Sequence, residues 1–243
     1  PGSGDQPGGG TEPPGDETGG GELLDHVTVR PAVKGNTAAI ADEDIAKLKP
    51  EGLLTVEVDA DTAVLALTAD QVRLLKEKRA TVQFKNRLVS VAVPAEALPD
   101  GPVKIEMKRL PDLKEAVSAV YDFNLYDGNG NKVTGFNPPV TLAFHVRADH
   151  KDNLNMYYYN EGKKQWELVP GAVYKDGTVS AQVSHFSIYT VSDKDLTEGN
   201  GKAGAGSPLP DTATGMFQAL AAGLVLILAS LPLAARVRRA KEQ

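Results

Sequence analysis

Val103-Lys104-Ile105-Glu106-Met107 alternates apolar and polar side chains with a period of two, and the recurrence of that pattern along the chain decides the fold. Tyr121, Phe123 and Leu125 share one face of a second such run, Leu142, Phe144 and Val146 one face of a third, and Leu154, Met156 and Tyr158 one face of a fourth. Trp166 with Leu168, then Val179, Ala181 and Val183, then Phe186 with Ile188, supply three more. Turn chemistry separates these runs: Pro99-Asp100-Gly101, Asp127-Gly128-Asn129-Gly130-Asn131, Asn160-Glu161-Gly162 and Lys175-Asp176-Gly177. Short strands at this spacing predict a mainly β domain, an antiparallel β-sandwich spanning residues 23–192. About 170 residues is enough for one domain with a sizeable core.

Two short helices are expected in the N-terminal part of this domain. Ile45 and Leu48 give Asp42 to Lys49 a helical spacing, with Pro50 and Gly52 as the stop. Thr68-Ala69-Asp70-Gln71 has the form of a capping box, and Val72 and Leu75 share one face of the turn that follows. Each helix sits between β-like runs, Thr37 to Ile40 and Leu53 to Val58 for the first, Ala63 to Leu67 and Ala80 to Phe84 for the second. The pattern reads as a degenerate duplicated strand-helix-strand unit, although two copies are too few for a solenoid.

The flanks differ in kind. Residues 1–21 contain nine Gly and four Pro, and residues 1–25 carry six acidic and no basic side chains. Such a segment buries too little apolar area to order itself, so 1–22 reads as a linker. Residues 193–208 read as a flexible tether, Gly-, Ala- and Ser-rich from Gly199 onward. Then Leu209-Pro210-Asp211-Thr212-Ala213 precedes Met216 to Ala235, 20 residues without a charge, and the basic cluster Arg236, Arg238, Arg239 and Lys241. At about 1.5 Å rise per residue, residues 216–235 are long enough to cross the roughly 30 Å hydrocarbon core as one helix. The basic tail, 236–243, would stay on the cytoplasmic side and leave the bulk of the chain outside the cell. Pro210 biases Leu209 towards an extended conformation, which suits binding in a transpeptidase groove.

Residues 209–243 together resemble the Leu-Pro-x-Thr-Gly sorting signals of Gram-positive surface proteins, which sortases attach to peptidoglycan. The resemblance implies that a sortase cysteine attacks the Thr212 carbonyl, releases the chain from Ala213 onward and transfers the thioester to a wall amine. Ala213 stands where Gly is commonest in the family, which bears on the sortase subclass. With no starting Met and no secretion signal, the chain is expected to be the C-terminal piece of a longer, exported precursor. The absence of Cys fits an exported Gram-positive protein. A net charge of −6 argues against a nucleic-acid partner.

Val89-Ser90-Val91-Ala92-Val93-Pro94-Ala95-Glu96-Ala97-Leu98-Pro99-Asp100-Gly101, Pro139-Val140-Thr141-Leu142 and Val183-Ser184-His185-Phe186-Ser187 look like the ZU-type β-sandwich of ankyrins and netrin receptors. They resemble more closely the modules of S-layer-associated and sortase-anchored bacterial proteins, which implies a supporting role. In nucleoporin and some ZU-type domains a similar His-Phe-Ser is a self-cleavage site. That chemistry would need a strained Phe186-Ser187 peptide, a free Ser187 hydroxyl and His185 as base. The competing expectation, which we favour, is that Phe186 plugs the core, His185 faces out and Ser187 is an ordinary strand residue.

The remaining motifs favour structural roles. Asp127-Gly128-Asn129-Gly130-Asn131 imitates a calcium loop, but Lys132 and Pro138 occupy the positions that need Gly and Glu, so a hairpin turn is expected. Tyr157-Tyr158-Tyr159 lacks the spacing of haem-binding near-iron-transporter domains and reads as strand residues, one in the core and two outside. The lone Trp166 is expected in the core, with sugar stacking as the alternative. Asp149, His150 and Asp152 read as a solvated loop. No His-Glu-x-x-His helix or Gly-x-Ser-x-Gly elbow is present. The sequence therefore predicts a non-catalytic stalk without cofactor or metal. Its expected partners are a sortase, peptidoglycan and, before processing, the membrane. A module binding an extracellular protein or glycan, and a domain self-cleaving at Phe186-Ser187, are the alternatives.

Overall fold

The computed structural model describes residues 23–147 and 152–197, and these form two seven-stranded sheets with two short helices. The chain begins with β1 (Leu24–Val29), β2 (Thr37–Ala39), α1 (Asp42–Ala46), β3 (Leu48–Glu57), β4 (Ala63–Leu67), α2 (Ala69–Glu77) and β5 (Thr81–Lys85). β1, β3 and β5 lie side by side in the first sheet, and β2 and β4 in the second, all pairing in parallel. Each helix thus carries the chain from the second sheet to the first. Val27 lies opposite Leu54, Ala38 opposite Leu65 and Leu54 opposite Val82, spacings of 27, 27 and 28 residues. The duplicated unit of the sequence is real, and it corrects the expectation of wholly antiparallel sheets. A strand-helix-strand crossing returns the chain in the direction it started, so successive copies must stack in parallel.

Two local details of the first copy also differ from the sequence reading. α1 ends at Ala46, and Lys49 to Gly52 belong to β3. The β1–β3 register shifts there, from Leu24 opposite Leu48 to His26 opposite Leu53. Glu51 has φ 63°, and a Cβ on Gly52 would lie 2.9 Å from the Lys49 carbonyl oxygen. Pro50 and Gly52 accordingly mark a bulge inside a strand rather than a helix stop. The second copy follows the sequence closely: the Thr68 hydroxyl accepts from the Gln71 amide at 3.2 Å, and the Gln71 side chain accepts from the Thr68 amide at 3.0 Å.

From β5 onward the pairing is antiparallel. β6 (Val89–Pro94) turns back on β5, and the one-turn 3-10 helix Ala95–Ala97 leads to β7 (Val103–Leu110) and β8 (Val120–Tyr126) in the second sheet. β9 (Val140–His145) joins β6. The hairpins β10 (Asn155–Asn160) with β11 (Gln165–Leu168), and β12 (Val173–Lys175) with β13 (Thr178–Val183), complete the two sheets around β14 (Ile188–Ser192). The sheet orders are β1-β3-β5-β6-β9-β13-β12 and β11-β10-β14-β8-β7-β4-β2.

The alternating positions face one another between the sheets. Val103, Ile105, Met107, Tyr121, Phe123, Leu125, Leu142, Phe144, Val179, Ala181 and Val183 are all buried. Phe123 is the hub of the aromatic part, with ring centroids 5.9 Å from Tyr121, 6.0 Å from Phe144, 5.9 Å from Phe186 and 6.2 Å from Tyr189. Asn86 is among the polar side chains buried in this interior. Its amide donates to the Ala60 carbonyl and the Tyr121 hydroxyl, each at 3.0 Å, while its carbonyl accepts from the Leu88 and Val89 amides. Phe123→Ala should cost about 3–5 kcal/mol, because the four rings around it cannot collapse into the space it leaves. Guanidinium unfolding monitored by circular dichroism would read this as a lower midpoint at unchanged slope.

Candidate functional site

His185-Phe186-Ser187 lies where the chain crosses from β13 in the first sheet to β14 in the second. Phe186 is buried, with its ring 4.6 Å from Phe136 and 5.9 Å from Phe123. Ser187 donates its hydroxyl to the Tyr159 carbonyl at 2.8 Å, away from its own preceding peptide. Neither Phe186 nor Ser187 has a positive φ. These features favour the plug expected from the sequence over a strained, attack-ready serine. His185 does not face out as expected. Its ring packs edge-on against Tyr158 at 4.9 Å, burial lowers its pKa, and its carbonyl accepts from the Tyr189 hydroxyl at 2.7 Å.

Beside this crossover stands a polar cluster that sequence reading missed. Tyr158 and Glu167 are directly opposite on β10 and β11, as are Asn160 and Gln165. The Glu167 carboxylate pairs with Lys163 at 2.8 Å and accepts hydrogen bonds from the Tyr158 hydroxyl, from Asn160 at 3.1 Å and from Gln165 at 3.4 Å. Lys163 first, then Tyr158, hold its pKa at about 2. The cluster clamps the β10–β11 hairpin at the mouth of the sandwich. Only the strand register could have disclosed it, because Tyr158 and Glu167 are nine residues apart and carry no motif.

The other candidates are resolved by their hydrogen bonds. Asp127 accepts from the Asn129 and Asn131 amides at 2.9 and 2.8 Å and from the Asn131 side chain at 3.0 Å, so the calcium-like segment is the hairpin turn expected. A hollow of about 650 Å³ opens beside that turn, lined in part by Ile40, Ala66, Gln71, Glu106 and Tyr126. Its polar groups are engaged: Gln71 caps α2 and binds Asp42 at 2.8 Å, and Glu106 accepts from Asn124 at 2.9 Å. Among the described residues, no three His, Cys, Asp or Glu side chains are grouped to hold a metal ion, and no helix is long and apolar enough to cross a membrane.

The tyrosine run alternates as expected, with Tyr158 on the core-facing side and Tyr157 and Tyr159 on the other, whereas Trp166 departs from the sequence reading. Tyr158 shares the face of Tyr189 and leans on it at 6.1 Å, half-buried, whereas Tyr157 on the opposite face is buried. Trp166 is half-exposed rather than in the core. Leu209, Pro210, Asp211, Thr212 and Ala213, the 216–235 span, Arg236, Arg238, Arg239 and Lys241, and the loop residues Asp149 and His150 lie outside the described residues.

No protein-family model matches the chain. A protein of Evansella cellulosilytica named "Putative membrane protein" is 29% identical over 234 residues, covering 77% of this chain and 35% of its own length. The trifunctional nucleotide phosphoesterase protein YfkN of Bacillus subtilis is 29% identical over 132 residues, 52% of this chain and 9% of its own length. The chain therefore spans about a third or less of the curated relatives it matches.

Two outcomes follow from this geometry. Purified chain should run as one band on a denaturing gel, with Ser187→Ala indistinguishable from it; two fragments divided at Phe186-Ser187 in the parent only would establish self-cleavage. Glu167 has a folded pKa depressed from 4.5 to about 2, so its stabilising contribution is present above the unfolded value and is lost as pH falls from 4.5 through about 2. Glu167→Gln should flatten this part of the acid-unfolding curve, measured against the parent chain from pH 5 to 2.

Proposed function

We propose that the chain is a folded, non-catalytic spacer of a Gram-positive surface protein, fixed to peptidoglycan by a sortase that cleaves between Thr212 and Ala213. One observation carries this reading: the order Leu209-Pro210-Asp211-Thr212-Ala213, then 20 uncharged residues from Met216 to Ala235, then Arg236, Arg238, Arg239 and Lys241. Each part has its own physical task. The extended pentapeptide is offered to the enzyme, the apolar span holds the substrate at the membrane, and the basic residues stop translocation. The likeness to a protein named for the membrane supports an exported, surface location.

The spacer role rests on how the described side chains are used. Glu167, Glu106, Gln71, Asp127 and Ser187 each have a partner within the fold, which supports structural roles for them. The likeness to YfkN involves 9% of that protein, a share suited to an accessory part of a large enzyme rather than to its catalytic machinery. On this reading any nucleotide chemistry belongs to other parts of a longer polypeptide, and this module holds them away from the membrane.

Cell fractionation tests the anchoring. The chain expressed behind an export signal in a sortase-bearing Gram-positive host should pellet with washed walls and resist hot detergent. Thr212→Ala, or loss of the sortase, should move it to the membrane fraction. A wall fraction unchanged by both alterations would refute sortase anchoring.

A further inference from the structure

The outer face of the second sheet carries a short aromatic strip. β10 and β11 place Tyr157 opposite Leu168 and Tyr159 opposite Trp166, and alternation turns all four away from the core. Tyr157 is buried there, its hydroxyl accepting from the Leu196 backbone amide, and Leu196 is buried with it. The cover ends at that point. Leu168 is 49% exposed, and Trp166 and Tyr159 are partly exposed. The two rings meet edge to face at 5.4 Å and 65°. Trp166 sits on a four-residue edge strand whose outer backbone groups have no strand partner among the described residues.

We infer that Trp166, Tyr159 and Leu168 form a stacking site for a neutral glycan, on the geometry of β10 and β11 and independently of how the chain is anchored. Size argues against a protein partner. A whole aromatic side chain can bury roughly 150–250 Å², so three partly covered side chains offer on the order of 200 Å², against roughly 800 Å² per partner in a stable interface. An indole face suits a single pyranose ring, whose weakly positive C–H groups meet the negative π-face. Sugar hydroxyls at the rim require donors and acceptors, and the free edge of β11 supplies unpaired N–H and C=O groups. Charge points the same way: Lys163, in the adjoining turn, is paired with Glu167 at 2.8 Å, which reduces any selection for an anionic ligand.

The chain contains one tryptophan, so its fluorescence reports this strip alone. Titration of the full chain with chitotetraose, cellotetraose and maltotetraose should give a saturable blue shift or quench with at least one of them. Leu168→Ala and Tyr159→Ala keep the fluorophore and should each weaken that binding roughly tenfold, the equivalent of about 1.4 kcal/mol. Circular dichroism of both variants secures that the fold is intact. A flat fluorescence response to all three sugars would overturn the inference, as would binding unaffected by either substitution in a folded variant. Because the readout needs neither sortase nor wall, its failure is distinct from failure of the anchoring.

Discussion

Phe123 stands where the two sheets come together. Its neighbours arrive from β8 itself, from β9 in the opposite sheet, from the β13–β14 crossover and from β14. Tyr121, two residues along the same face, carries the contact on to Asn86, which organises the loop joining β5 to β6. The requirement that these rings pack together without voids therefore fixes how the two sheets face each other across the antiparallel part, and the N-terminal parallel unit is joined to it through the β5–β6 and β4–β7 pairings. A polar side chain as buried as Asn86 is tolerated because its amide and carbonyl both find partners.

A shared core of this kind is what the proposed spacer role requires. β1, β3 and β5 extend the first sheet through strand-helix-strand copies, while β2 and β4 extend the second alongside. Both sheets grow by the same repeat, and neither copy can bury its apolar face alone. After β14, Leu196 is buried beside Tyr157, whose hydroxyl accepts from its backbone amide, so the folded body runs at least four residues past Ser192. Rigidity comes from this shared core.

Much of the fold was legible because burial enforces a period of two. Val103, Ile105, Met107, Tyr121, Phe123 and Leu125 fall inside as their alternation required. The capping box at Thr68 and the turn at Asp127 were legible because each is made by residues a few positions apart. Strand direction was not, since a parallel and an antiparallel strand share the same alternation and only the crossing helices decide between them. Trp166 was misplaced because period two gives two faces without saying which one faces the core. Phe186 and Ile188 show the same limit: Phe186 joins the Phe123 cluster, while Ile188 pairs with Asp122 on the outer face. The Glu167 clamp was illegible altogether, because it depends on the register of two strands.

The central claim, that a folded module is handed to the wall at a defined peptide bond, is tested most directly by the intact mass of the protein released from washed walls with a peptidoglycan hydrolase. The account predicts a chain ending at Thr212 and bearing a wall fragment. A released chain that retains residues beyond Ala213, or protein found only in the membrane with Met216 to Ala235 still attached, would contradict it.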